Sequence, residues 1–103
     1  MSVTLGGLVH AEAIENLRRL VIDHLAKLGY KVSWSHSPPY KDGDFYFWEH
    51  DFSSGNIAHT ILFKENASGQ LIVYIDNRAI VKVENNARFN GKFFHRIISV
   101  LKG

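Results

Sequence analysis

The chain has 103 residues, 46% of them hydrophobic and 21% charged, a balance that excludes a disordered polymer and fits one globular domain over residues 1–103. Cysteine is absent, which excludes a disulfide framework, a thiolate metal site and a cysteine nucleophile, and points to a reducing cytoplasm. The formal charge of +2 is unevenly spread: residues 1–51 carry seven acids against five Lys or Arg, and residues 52–103 carry seven bases against three acids, a polarity that bears on partners rather than on fold.

In chain order, the first ten residues have neither the basic start nor the long apolar run of a signal peptide. No stretch approaches the roughly 20 apolar residues of a membrane span, so a cytoplasmic protein without membrane contact is expected. From Ala11 to Leu28 the residues Ile14, Leu17, Val21, Leu25 and Leu28 recur at steps of three and four, with Ala13 and Leu20 widening the stripe. This spacing predicts an amphipathic helix, closed by Gly29. Tyr30, Val32 and Trp34 alternate with Lys31, Ser33 and Ser35 and predict a half-buried strand near a sheet edge. Pro38-Pro39 interrupts it, and Lys41-Asp42-Gly43-Asp44 supplies turn chemistry.

The next segment, residues 44–52, reads Asp-Phe-Tyr-Phe-Trp-Glu-His-Asp-Phe and is the densest aromatic window of the chain. As a strand it sends Phe45, Phe47 and Glu49 to one side and Tyr46, Trp48 and His50 to the other. Further runs at Ile57–Lys64 and Leu71–Asp76 are separated by Asn66-Ala67-Ser68-Gly69, a hairpin pattern. Asn66-Ala67-Ser68 matches a glycosylation sequon, but without an export signal it reads as a turn. Asp76-Asn77-Arg78 marks either a bulge or, as favoured here, a turn into a strand over Ala79–Glu84. Asn85-Asn86 offers an N-cap for a second helix over Ala87–Leu101, with Phe89, Phe93, Ile97, Val100 and Leu101 on one side and Arg88, Lys92, His95, Arg96 and Lys102 opposite.

The expected fold class is therefore α+β: an N-terminal helix, a four- or five-stranded antiparallel meander, and a C-terminal helix, with both helices packed on one sheet face. The other face is left open. Either Tyr46-Trp48-His50 or Phe45-Phe47 must then find a cover outside the helices, because clustered rings are unusual on a lone surface.

Several chemistries lack their residues. His36, His50 and His59 lie on or beside predicted strands but show no chelating spacing such as His-x-x-x-His, so no metal is expected. There is no Gly-x-Ser-x-Gly elbow, phosphate loop or dinucleotide glycine pattern. The carboxylate pairs Asp42/Asp44 and Glu49/Asp51 lack the following acid-x-Lys of a nuclease, and Lys64-Glu65, in the wrong order, is assigned to a turn. No enzymatic activity and no cofactor are expected.

What remains is recognition. The expected function is a small non-catalytic protein-binding module, of the adaptor, immunity or phage-type inhibitor kind, whose aromatic and acidic surface comprises Tyr40, Asp42, Asp44, Tyr46, Trp48 and His50; a second copy of the chain is an alternative occupant. One alternative is a nucleic-acid binder using Arg88, Lys92, Arg96 and Lys102, whose spacing can follow phosphates. Another is a small-molecule or catalytic domain with an aromatic pocket on the open sheet face, in which His50 or His59 and Asp51 are the polar members.

Overall fold

A computed structural model describes residues 8–83 and 91–102. The elements are α1 (Ala11–Lys27), β1 (Ser33–His36), β2 (Tyr40–Asp42), β3 (Phe45–Ser54), β4 (Ile57–Asn66), β5 (Leu71–Ile75), β6 (Arg78–Val83) and α2 (Gly91–Leu101). The strands form one antiparallel sheet in the order β1-β3-β4-β5-β6, with β2 also paired to β3. The α+β architecture with a helix at each end of a meander is as the periodicities predict.

α1 buries Ala11, Ile14, Leu17, Val21 and Leu25, the stripe set by the 3.6-residue repeat. Leu20 and Leu28 do not join it and are 58% and 51% exposed. Leu28 is already the C-cap, where the chain departs from the helix axis. There the Gly29 N–H donates to Ala26 O and the Tyr30 N–H to Leu25 O, the paired bonds of a Schellman ending, which require Gly29 at its φ of +92°. The other end of α1 has no side-chain cap of its own. The buried carboxylate of Glu65, reaching across from β4, accepts from the Val9 N–H at 2.7 Å, the His10 N–H at 3.0 Å and lies 2.7 Å from His10 Nδ1. Free donors at a helix start favour an anion in just this place. Lys64-Glu65 thus lies within β4, not at a turn as the sequence suggests.

β3 and β4 run ten residues each and pair from Phe45↔Asn66 to Ser54↔Ile57, forming the backbone of the sheet. The outer edge of β3 is covered by two short strands in series: β1 pairs with residues 50–53 and β2 with residues 45–47. The sequence pattern predicts a loop where β2 lies. Three residues before Gly43 are too few to show a period, and pairing with β3 is what extends them. Gly43, at φ +63°, lets the chain reverse in two residues between Asp42 and Phe45. Between β1 and β2, Pro38-Pro39 cannot donate to a neighbouring strand and blunts this edge. Tyr30 and Val32 precede β1 rather than forming it, yet they pack on the core as partly buried groups.

One side of the sheet carries the core. Trp48, Phe52, Ile61, Phe63, Leu71, Val73, Ile75, Val81 and Val83 meet the α1 stripe and Ile97, Ile98 and Leu101 of α2 in a single cluster, and His24 of α1 sets its ring edge against Phe94 at 5.5 Å. Both helices therefore lie on the inward face. The N-cap assigned to Asn85-Asn86 and the helical positions Arg88 and Phe89 lie outside the described residues.

Candidate functional site on the open sheet face

Alternation along β3 sorts its residues into two sets. Tyr46, Trp48, His50, Phe52 and Ser54 point inward, whereas Phe45, Phe47, Glu49, Asp51 and Ser53 point outward. Trp48 and His50 are both 0% exposed, so neither stands on a partner surface. Their polar atoms are engaged inside: Trp48 Nε1 donates to Ser37 O at 2.8 Å, and Trp34 Nε1 donates to His50 Nδ1 at 2.8 Å. Tyr46 is partly buried on the same inward side, with Lys41 Nζ 5.5 Å from its ring centroid. Of the sequence-derived set, Tyr40, Asp42 and Asp44 are exposed.

His50 is enclosed by rings, with centroids of Trp48 at 4.5 Å, Phe63 at 4.9 Å and His36 at 5.1 Å. Indole nitrogen only donates, so His50 Nδ1 must be the acceptor and the imidazole proton sits on Nε2. That atom is buried with no hydrogen-bond partner among the described residues. Burial, reinforced by the nearby His36 and Arg18, lowers the His50 pKa to about 3. The ring is a neutral core group.

The outward face is built from cross-strand rows. Tyr40, Phe47, Lys64, Ile72 and Lys82 lie in register across β2 to β6; Glu49, Leu62, Tyr74 and Ala79 form the next row. Tyr40 stacks on Phe47 at 5.3 Å with 19° between ring planes, and Phe45 lies 6.3 Å from Phe47. The Lys64 ammonium sits 4.2 Å from the Phe45 centroid and 5.8 Å from that of Phe47. Phe45, Phe47, Leu62, Ile72 and Tyr74 are only half-buried, and neither helix covers them. Asp42 pairs opposite Phe45, and Glu49 accepts a long 3.4 Å hydrogen bond from the Tyr40 hydroxyl. Partial desolvation, then the Glu49 and Asp42 charges, hold the Tyr40 phenol above its ordinary pKa.

Farther along the same face, Ser33, Ser35, Asp51, Ser53, Thr60 and Asp76 line a shallow hollow of about 270 Å³. It is polar. Asp76 is fixed there by the Thr60 N–H at 3.0 Å and by His59 Nδ1 at 2.6 Å, contacts that lower its carboxyl pKa, the His59 hydrogen bond most. Tyr40, Phe45, Phe47 and Tyr74 do not line this hollow, and His50 is on the opposite side of the sheet, so rings and hollow are separate features. His36 and His50 are brought together in register, while His59 pairs opposite Phe52. Among the described residues no group of three or more His, Asp or Glu is placed to hold a metal ion. Lys92, His95 and Arg96 of α2 and Lys102 just after it are exposed, on the helix side of the molecule and away from the open sheet face.

Sequence reading missed Leu62, Lys64, Ile72 and Tyr74 as members of the open face. The available signal was in β3 itself: Glu49 and Asp51 share the alternation of Phe45 and Phe47, and charged residues mark the side that faces water. No protein-family model matches the chain, and no curated protein or solved structure matches it. Among the described residues no helix is long and apolar enough to cross a membrane.

Proposed function

We propose that this chain is a small, non-catalytic protein-binding module that recognises another protein through its open sheet face, in the manner of an adaptor, an immunity protein or an inhibitor. The observation that carries the reading is the group Tyr40, Phe45, Phe47, Leu62, Ile72 and Tyr74, left outside the core on one continuous face and bordered by Asp42, Asp44 and Glu49. Aromatic and aliphatic side chains in a patch with acids at its rim are the composition of protein interfaces, and Lys64, inside the patch, lies against the rings. The surface differs from the one expected from sequence: Phe45 and Phe47 replace Trp48 and His50.

Truncation of a buried aromatic anchor at an interface commonly costs about 2 kcal/mol or more. Affinity capture from the source cell, comparing wild type with Phe47→Ala and with Asp44→Lys, is expected to recover a partner that both variants lose. Equal recovery by correctly folded variants rejects this face.

A second reading is supported by the exposed cations Lys92 and Arg96 on α2 and Lys102 just after it, the helix being without an acid. A nucleic-acid binder working through them would lose affinity steeply with salt, because each phosphate contact releases counterions. Binding of a DNA or RNA duplex that is indifferent to Lys92→Glu with Arg96→Glu ends that reading.

A further inference from the structure

We infer that the partner segment seated on the open face presents Lys or Arg side chains, and that Lys64 occupies, from within the chain, the place of a partner cation. The inference rests on the reading of this face as a protein-binding surface and names the chemistry of what it binds. Its first support is that the rings already hold a cation: Lys64 Nζ lies over Phe45 at 4.2 Å and within 5.8 Å of Phe47, distances at which the ring quadrupole attracts positive charge.

The second support is charge complementarity. The molecule carries +2 overall, yet β2, β3 and the turn between them place Asp42, Asp44 and Glu49 around the rings and Asp51 farther along the same face, all four exposed. The single base of that stretch, Lys41, lies over Tyr46, whose ring is on the inward side. Lys82 shares the row of Phe47 but at the far edge of the sheet, three strands away. Negative charge is thus concentrated where the rings are, and the complementary partner is basic.

The third support is geometric. Outward side chains of β3 recur at every second residue, about 7 Å apart. An extended segment with cations at alternate positions can therefore set one over the Phe45/Phe47 rings and the next beside Glu49. Lys64 competes for the first of these places. Removing its ammonium should release the rings, so the expected effect of its loss is a gain in affinity.

The test uses the full chain and two labelled ten-residue peptides, one alternating arginine with serine and the other glutamate with serine, titrated at low ionic strength with amide shifts locating the contact. The arginine peptide is expected to bind and to shift β2, β3 and β4, and the glutamate peptide to leave them unmoved. Lys64→Met should tighten arginine-peptide binding about two- to fivefold, the range of an exposed cation–π contact. Lys82→Met removes the same charge away from the rings and should tighten it less, whereas Glu49→Gln should weaken it. Equal tightening by both lysine variants, or none by Lys64→Met, overturns the inference, as does glutamate-peptide binding at these strands. A dimeric mass with the same amides protected also overturns it, since a second copy would then be the occupant. If a cellular partner is lost by Phe47→Ala while the arginine peptide does not bind, this inference fails and the protein-binding reading stands; if the peptide binds as stated and no partner is lost, the reading fails at the level of the cell.

Discussion

At the scale of single residues, His50 makes the sharpest statement about the fold. It is a titratable group held neutral, with Nδ1 committed as acceptor to Trp34 and its pKa lowered to about 3. Protonation would set an N–H against the indole N–H and bring charge among Trp48, Phe63 and His36. In the unfolded chain an ordinary histidine takes up its proton near pH 6.5. The folded state therefore keeps the full contribution of this group above about pH 6.5 and loses it as pH falls toward 3, because the unfolded state binds the extra proton first. The slope approaches about 1.4 kcal/mol per pH unit, on the order of 5 kcal/mol across the window. Urea unfolding at a series of pH values should show this loss in wild type. In His50→Gln, which can still accept from Trp34, the slope should be shallower by about one proton; an unchanged slope would mean that His50 titrates normally in the folded protein.

At the scale of elements, the β5–β6 hairpin turns on two residues, Asp76 at φ +51° and Asn77 at φ +68°. Two successive left-handed residues are the requirement of a type I′ turn, whose twist suits paired strands. Asn tolerates that conformation and a β-branched residue does not, so Asn77→Val is expected to cost about 1–3 kcal/mol. Asn77→Gly should stay within about half a kcal/mol of wild type, the easier backbone offset by a more mobile unfolded chain. Denaturant midpoints of the two variants check this. This turn was legible in the sequence as the favoured alternative to a bulge, because Asp-Asn follows an apolar run and both residues tolerate the left-handed region, and so were the α1 stripe and its ending at Gly29, where periodicity and glycine agree. β2 was not legible, since Tyr40-Lys41-Asp42 becomes a strand only through pairing with Phe45, Tyr46 and Phe47. The start of α1 was equally hidden, because its anion, Glu65, lies 55 residues from His10 and no local pattern joins them. For the candidate site, alternation divided the rings of β3 correctly, and since both sets are aromatic only Glu49 and Asp51, on the side of Phe45 and Phe47, marked which set faces water.

At the scale of the whole molecule, two helices on one side of a six-stranded sheet leave the two alternating sets of β3 in different surroundings, and stability and recognition should separate along that division. Trp48 is wholly enclosed and bonded to Ser37 O; its neighbour Phe47 is half-buried against Tyr40 and Lys64 on the open side. Trp48→Ala removes a large core ring and should cost about 3–5 kcal/mol, a large share of the stability of a domain this size. Phe47→Ala loses one stacked contact and part of a half-buried ring, and should cost about 1 kcal/mol. For binding the order reverses: Phe47→Ala should abolish partner capture while keeping a cooperative unfolding transition. The milder Trp48→Phe should lower stability and leave capture intact wherever the protein remains folded. Urea melts and partner recovery on the same preparations make the comparison. If Phe47→Ala destabilises as much as Trp48→Ala, the outward rings belong to a second interior and the open face is not a surface; if Trp48→Phe alone loses the partner, recognition runs through the helix layer instead.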